Sequence, residues 1–460
     1  MKTSKSKKIL FVLSVALLLI VLAGCFKKSG GSAAANLTFY GLDDSDAFEQ
    51  IIAQYRENHA NVQIRYKKFN DPYEYENLIV NEIAEGEGPD VFFVHNTWLP
   101  RHTKKLASFT PSETLNNKIF SETFVNVTAN DFVQPDPNDG VKKIYALPLY
   151  VDTLALYYNK EDFERVLPER GKPANTWELL KAEADKFRLQ PENGKLEKGA
   201  IAFGRADNIR LAAEIFYNLL LQAGVDFYDK DFKQAQFSSK GQEWFDFYTS
   251  FAVPQNKNYS WDLDSVPADR SLGEVEAFLA GRVSAILGYS DLYPRLETEL
   301  KNVKSRNPSV ISVKDVVVAP IPQVASDESD YKVWANYYGL GVSRNSKNPK
   351  AAWDFVQFMA SKNAAKIYHQ RTKRPTARRD LIEDQKKEPI TDVFVSQVGY
   401  AGSFRIYSDQ RFADYLKEAI QAAAGGQSSR GALSQAQTKI NDLLKLEAPD
   451  GLYPKPKKKK

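Results

Sequence analysis

Aromatic, carboxylate and hydroxyl side chains stand at the ends of several segments that have the composition of β-strands. Asp43 and Asp44 lie in the loop after the first of these segments, and Trp98 follows the third. Tyr289 and Ser290 come directly after a later one. A flat aromatic face suits the apolar face of a sugar ring, while carboxylate, amide and hydroxyl groups bind its polar rim. These residues predict a site for a carbohydrate, and a peptide-like or other polar solute satisfies the same pattern.

Short apolar strands alternate with amphipathic helices around these residues. The segments 37–40, 62–66 and 91–94 have strand composition, and helical repeats of apolar residues separate them. This order predicts parallel β-α-β units, in which ligands bind at the carboxyl ends of the strands. Those ends are the loops 41–45 and 95–98. Because a chain of 460 residues is too long for one core, we expect an α/β fold with two lobes.

The rest of the chain continues the same alternation. Further strands are expected at 200–203, 284–287 and 316–319. A proline at position 349, directly after an asparagine, predicts the start of a helix. Trp177, Trp244 and Trp353 fall inside helical repeats, which predicts that they pack in the core.

The sequence carries no signature of an enzyme with a metal, a nucleotide or a serine nucleophile. The four histidines, His59, His95, His102 and His369, do not have the spacing of a zinc motif. The chain has no phosphate-binding loop and no complete nucleophile elbow around Ser290. We therefore expect no cofactor, no metal and no catalytic residue. A surface-anchored glycoside-active enzyme, which needs only two carboxylates, and a lipoprotein adhesin remain the alternatives.

The first 25 residues have the pattern of an export signal. Four lysines precede an apolar run at 9–23, which is shorter than a membrane-spanning helix. The run ends in Leu-Ala-Gly-Cys, which resembles the lipobox of bacterial lipoproteins. That resemblance implies cleavage of a signal peptide, residues 1–24, and lipidation of Cys25, the only cysteine in the chain. An uncleaved N-terminal anchor is the alternative.

The net charge of +4 comes from the two ends of the chain. Four lysines lie in the leader, two in the flexible tether at 25–36 and five in the tail at 451–460, so the body between them is acidic. We expect no nucleic-acid partner, because such proteins carry a basic stripe on the folded domain. The Lys-rich tail is expected to be disordered, and binding of this tail to an anionic surface is the alternative.

Four segments in order resemble the maltose-binding-protein-like extracellular solute-binding proteins of ABC importers. They are GPDVFFVHNTW at 88–98, YALPLYVDTLALYYNK at 145–160, FLAGRVSAILGYS at 278–290, and YGLGV at 338–342 with SKNPKAAWDF at 346–355. The resemblance implies a two-lobed α/β fold of the periplasmic-binding-protein type, with a hinge and an interlobe cleft. It also implies capture of a small solute, transfer to permease subunits of an ABC transporter, and an extracytoplasmic, lipid-anchored location at the cell membrane. We expect the protein to be a monomer.

The resemblance further implies where the chain crosses between the lobes. The crossings are expected at 147–152, at 335–338 and at Pro375. The first lobe then comprises 37–147 and 337–375, and the second comprises 148–336 and 376–450. Ligand-binding residues implied near the crossings, in an irregular segment and before a late helix are Tyr150, Asp152, Trp261, Trp334, Asn336, Tyr337, Arg374, Arg405 and Tyr407.

The lipobox resemblance leads to a direct test. Replacing Cys25 by serine removes the sulfur that would carry the lipid, so we expect Cys25→Ser to be released from membranes or to remain an uncut precursor. Cell fractionation and the mass of the mature N-terminus measure both outcomes. Membrane retention and processing equal to those of the wild-type protein would contradict the lipoprotein interpretation.

Overall fold

The computed structural model describes residues 34–192, 194–265, 273–304 and 310–453. The predicted signal peptide, Cys25, the tether up to residue 33 and the Lys-rich residues 454–460 lie outside these ranges. Across the described ranges, no helix combines the length and the apolar character that spanning a bilayer requires.

The elements of the first half begin with the predicted alternation of strands and helices. They are β1 (Ala35–Gly41), α1 (Asp46–Asn58), β2 (Val62–Lys68), α2 (Pro72–Ala84), β3 (Val91–His95), α3 (Leu99–His102), β4 (Leu106–Ala107), α4 (Asn117–Thr123), α5 (Asn126–Phe132), β5 (Val133–Pro135), β6 (Lys142–Ile144), β7 (Ala146–Pro148), β8 (Asp152–Thr153), β9 (Ala155–Asn159), α6 (Lys160–Val166), α7 (Trp177–Phe187), β10 (Gly199–Ile201) and α8 (Ala212–Gln222).

The second half adds fewer strands and longer helices. Its elements are α9 (Phe237–Thr249), α10 (Gly273–Leu279), β11 (Val283–Gly288), α11 (Leu292–Lys304), β12 (Val316–Pro320), β13 (Val333–Asn336), β14 (Tyr338–Ser343), α12 (Pro349–Met359), α13 (Lys362–Thr372), α14 (Ile382–Gln385), α15 (Thr391–Gln397), β15 (Ala401–Gly402), α16 (Asp409–Ala424) and α17 (Ser429–Glu447).

The first lobe is built on a sheet with the strand order β2-β1-β3-β14-β4, and β7 also pairs with β14. β1 is parallel to both β2 and β3, as the β-α-β pattern predicts. β14 is antiparallel to β3, with Leu340 opposite Phe93. A strand from the late part of the sequence therefore completes the sheet that the first residues begin.

The second lobe is built on a smaller sheet with the order β10-β11-β9-β12. β10 and β11 are parallel, whereas β9 is antiparallel to β11 and to β12. Aromatic side chains dominate its core. Phe203, for example, packs against Tyr248 and Phe251 with ring centroids 4.6 and 5.2 Å apart.

The lobes meet at a small sheet, β15-β13-β8. β8 and β13 lie at two of the crossings, and they pair with each other through Ala335 opposite Thr153 and Asn336 opposite Asp152. The fold is thus the predicted two-lobed α/β fold, with two of its crossings joined side by side.

The buried residues form two separate cores, and the chain passes from one core to the other at these crossings. One core includes residues up to Val151 and resumes at Ala335, and the other begins at Leu154 and includes Trp334. Arg378, which follows the crossing predicted at Pro375, forms an antiparallel β-bridge with Phe124 of the first lobe. The chain therefore still contacts the first lobe three residues after the predicted crossing. The predicted limit of the tail also changes, because Leu452 is buried against the second lobe and its amide donates to the carbonyl of Phe232.

Gly339 lets the central strand β14 lie close to its neighbours. A Cβ at this position would stand 2.7 Å from the carbonyl oxygen of Leu147 and 2.6 Å from the fully buried ring of Phe132. We expect Gly339→Ala to lower the free energy of unfolding by about 1–3 kcal/mol, as overpacking does. Denaturant unfolding measures this, with Gly399→Ala as the control because its added methyl meets no atom within 4 Å. Equal stabilities of the two variants would contradict the packing argument.

Candidate ligand-binding site

A cavity of about 530 Å³ lies where the two lobes face each other. Both cores and the crossing strands contribute to its wall, which is rich in aromatic and charged side chains. Its lining includes Asp43, Tyr73, Glu76, His95, Trp98, Tyr150, Asp152, Glu214, Tyr217, Tyr289, Asp291, Arg295, Trp334, Asn336, Tyr338, Arg374 and Asp409. A wider groove of about 1230 Å³ lies along α7 and α9, with no first-lobe residue in its lining. We take the interlobe cavity as the candidate site because two-lobed binding proteins enclose ligands between their lobes.

The structure brings eight of the fourteen predicted residues into this wall. They come from loops and strand ends that are far apart in the sequence. These eight residues are Asp43, Trp98, Tyr150, Asp152, Tyr289, Trp334, Asn336 and Arg374. Their role as ligand contacts stays a prediction.

Trp261 and Tyr337 were predicted at the cleft, but both side chains are in a core. The indole of Trp261 is fully buried, and its Nε1 donates to Oδ1 of Asn208 at 2.8 Å. Tyr337 is fully buried, and its hydroxyl donates to Asp131 at 2.7 Å. Side chains alternate along an extended backbone, so Asn336 and Tyr338 face the cavity while Tyr337 faces the opposite way.

Asp44, Arg405 and Tyr407 also lie outside the cavity wall. Asp44 is exposed and forms an ion pair with Lys68. Arg405 lies in a different cavity of about 270 Å³, with its guanidinium over the rings of Phe232 and Tyr453. The hydroxyl of Tyr407 donates to the carbonyl of Glu447 at 3.1 Å. The sequence pattern could not supply these partners, because most of them are tens of residues away.

Ser290 holds Asp152 in place behind the wall. The Ser290 hydroxyl donates to Oδ2 of Asp152 at 2.6 Å, and the Ser290 amide donates to both oxygens of the same carboxylate at 3.1 Å. Ser290 is therefore a positioning residue, and Asp152 is the group that reaches the cavity.

Arg374 connects two carboxylates at the junction of the lobes. Its Nη2 lies 3.2 Å from Oδ1 of Asp43, its Nη1 lies 3.9 Å from Oδ2 of Asp152, and its guanidinium stacks on the ring of Tyr150 at 4.3 Å. Burial raises the pKa of Asp152 to about 7, although Arg374 and Ser290 favour the ionised form. This cluster is a fixed polar surface whose remaining oxygens can accept hydrogen bonds from a ligand.

His95 and Thr97 of the first lobe contact Asp409 of the second. His95 Nδ1 lies 3.1 Å from Oδ2 of Asp409, and the Thr97 hydroxyl donates to the same carboxylate at 2.6 Å. His95 Nε2 lies 3.1 Å from Oδ1 of Asn336. Burial acts to lower the pKa of His95, but the charge and hydrogen bond of Asp409, together with Asn336 and Glu76, outweigh it and raise the pKa. We call His95, Thr97 and Asp409 the interlobe clasp.

Several wall residues were not predicted, and most lack a local signal. Glu214 and Tyr217 lie on α8, whose apolar composition is typical of a core helix. Asp409 and His95 meet across more than 300 residues of sequence. Asp291 is the exception, because it directly follows Tyr289 and Ser290. Within the described ranges, no group of three or more His, Cys, Asp or Glu side chains is placed to hold a metal ion.

Comparison with known proteins agrees with this architecture. The profile of the family described as bacterial extracellular solute-binding protein matches residues 42–366. This chain belongs to that family. The predicted family and the predicted fold class are therefore confirmed, and the family consists of binding proteins.

Two relatives illustrate the range of the family. A putative binding protein of Brucella suis biovar 1 (strain 1330) is 22% identical over 445 residues, which cover 93% of this chain and 97% of the relative. The melibiose/raffinose/stachyose-binding protein MelE of Bacillus subtilis (strain 168) is 21% identical over 421 residues, covering 88% of this chain and 86% of MelE.

Solved structures share the fold of this family member at low identity. The GacH receptor of Streptomyces glaucescens GLA.O, solved unliganded and with acarbose, matches with a TM-score of 0.67 at 17% identity, covering 91% of this chain and 100% of the receptor. The sugar-binding protein MalE of Xanthomonas citri matches with a TM-score of 0.69 at 16% identity, covering 89% of this chain and 97% of MalE.

The interlobe clasp predicts a pH dependence that one carboxylate controls. Because Asp409 raises the pKa of His95, protonated His95 stabilises the folded protein. This stabilisation is complete below the ordinary histidine pKa of about 6.5 and is lost as the pH rises through the raised pKa. We expect Asp409→Asn to lower the pKa of His95, since burial then acts unopposed by that charge. NMR titration of the His95 ring measures this, with Asp414→Asn, an exposed change on the same helix, as the control. A pKa of His95 that is the same in both variants would contradict the clasp.

Proposed function

We propose that this protein is a lipid-anchored extracellular receptor that binds a carbohydrate between its lobes and delivers it to the permease of an ABC transporter. The observation that carries the proposal is the interlobe cavity, in which aromatic rings and polar side chains from both lobes face the same space. Sugars need this combination, because one face of the ring is apolar and its rim carries hydroxyls. The similarity to MelE, to the sugar-binding protein MalE and to GacH, which was solved with acarbose, supports a sugar ligand.

Trp98 and Trp334 are the proposed stacking residues on opposite sides of the cavity. Trp98 packs on Tyr75 and Tyr338 of the first lobe, with centroids 6.0 and 6.1 Å away. Trp334 packs on Tyr217 and Phe404, with centroids 5.0 and 5.6 Å away. Both rings are held by their neighbours, so a ligand that contacts them does not need to order them.

Hinge closure around the ligand is the proposed mechanism. The clasp joins the lobes on one side of the cavity, and the crossing strands β8 and β13 join them at its floor. A ligand that contacts both lobes favours the closed form by its extra contacts in that form. Small-angle scattering with and without a bound sugar measures the compaction that this mechanism requires.

The test compares two tryptophans that differ in position. We expect Trp98→Leu to weaken sugar binding by about 1–3 kcal/mol, because a large apolar surface leaves the site. Trp261→Leu should lower the melting temperature and leave affinity unchanged, because that indole is in the second core. Calorimetric titration with neutral oligosaccharides measures the affinity, and thermal unfolding measures the stability.

Two outcomes of that test would overturn the proposal. One is equal affinity in Trp98→Leu and the wild-type protein. The other is cleavage of the oligosaccharide during incubation, which chromatography of the products would reveal and which would indicate a glycoside-active enzyme.

A further inference from the structure

The wall of the interlobe cavity carries more negative than positive charge. Six carboxylates line it, and the cationic side chains that line it are Arg295, Arg374 and, when protonated, His95. The six carboxylates belong to Asp43, Glu76, Asp152, Glu214, Asp291 and Asp409. A neutral ligand would leave this excess in place, and an anionic ligand would be repelled by it.

Five of the six carboxylates have cationic partners within the protein. Asp43 and Asp152 share Arg374, at 3.2 and 3.9 Å. Asp291 lies 3.6 Å from Arg295. Glu76 lies 3.6 Å from Nη1 of Arg101, and Asp409 belongs to the interlobe clasp.

Glu214 is the carboxylate that remains. In the part of the chain that the structure describes, no cation lies within ion-pair distance of Glu214, and Lys417, His95 and the backbone amide of Glu214 favour its ionised form from nearby. Burial raises the pKa of Glu214, and repulsion from Asp409 adds to the effect. A half-buried carboxylate without a cationic partner lowers the stability of the folded protein, and a bound cation would relieve this penalty.

Two tyrosine hydroxyls beside Glu214 also lack a partner. Tyr217 is one helical turn further along α8, is only 4% exposed, and its hydroxyl has no hydrogen bond within the described structure. The hydroxyl of Tyr289 is also buried and makes no hydrogen bond of good geometry among the described residues, with the side chain of Asn336 as its polar neighbour. Both rings line the cavity, and the charge of Glu214 reaches both hydroxyls. Buried polar groups usually have a hydrogen-bond partner, so hydroxyls in this position on a cavity wall are suited to bind the polar groups of a ligand.

We propose that the ligand is an amino sugar whose protonated amine pairs with Glu214 while its hydroxyls bind Tyr217 and Tyr289. The inference rests on the proposed function, because it requires a sugar in the interlobe cavity. The aromatic surroundings strengthen it, since the ring of Tyr217 lies 5.0 Å from that of Trp334 and aromatic faces attract cations. An organic amine fits better than a metal ion, because the described residues offer no metal-binding group.

Calorimetric titration of the full mature protein with three trisaccharides tests the proposal at mildly acidic pH. The probes are the glucosamine trimer, which is cationic, its N-acetylated form, which is neutral, and maltotriose. We expect the glucosamine trimer to bind at least about tenfold more tightly than either neutral probe, with a preference that decreases as salt is added.

Glu214→Gln keeps the shape of the side chain and removes its charge. It should abolish the preference for the amine, so that the glucosamine trimer binds this variant no more tightly than the neutral probes do. Glu178→Gln is the matched control, because Glu178 is also in the first turn of a helix but is exposed and outside the cavity. This control should keep the wild-type preference.

The outcomes separate the two proposals. If a neutral trisaccharide binds as tightly as the glucosamine trimer, or if Glu214→Gln keeps the preference, the amino-sugar inference is wrong and the proposed sugar receptor stands. If none of the three probes binds, the proposed function fails and the inference fails with it.

Discussion

The antiparallel pairing of β8 with β13 is the contact on which the rest of the structure depends. It joins two crossings that are about 180 residues apart and places Asp152 directly opposite Asn336. From this pair, Asp152 reaches Arg374 and Ser290, and Asn336 reaches His95. Without this pairing, Asp152 and Asn336 would not be held beside each other in the cavity wall, and the two crossings would not form a single hinge between the lobes.

The fold followed from the sequence because its signals are local. Parallel strands with intervening helices leave a short-range pattern, and β1, β2 and β3 appear where that pattern places them. The candidate site was accessible only in part. Trp98 and Tyr289 stand at strand ends, where position alone indicates the cleft. Tyr337 lies one position away from Asn336, so the alternation of the strand turns its side chain into the core. Trp261 is held in the other core by Asn208, a partner 53 residues away that the local sequence does not indicate.

Glu214, Tyr217 and Asp409 show why the remaining residues escaped prediction. An apolar helix with one glutamate near its start resembles a core helix, and only the packing of α8 against the cavity gives Glu214 its position. Asp409 gains its role from His95 and Thr97, which belong to the other lobe. Such roles arise from long-range contacts, which local periodicity does not encode.

The position of β14 has a consequence for how the chain matures. This strand lies between β3 and β4, so the sheet that begins at residue 35 is finished only by residues 338–343. The first lobe therefore cannot reach its native sheet while the chain is still emerging, and its hydrophobic strands stay open until about three quarters of the sequence is available. Such a topology has a high contact order and folds slowly. If the predicted export signal directs the chain across a membrane, late completion of the sheet keeps the polypeptide unfolded while it crosses.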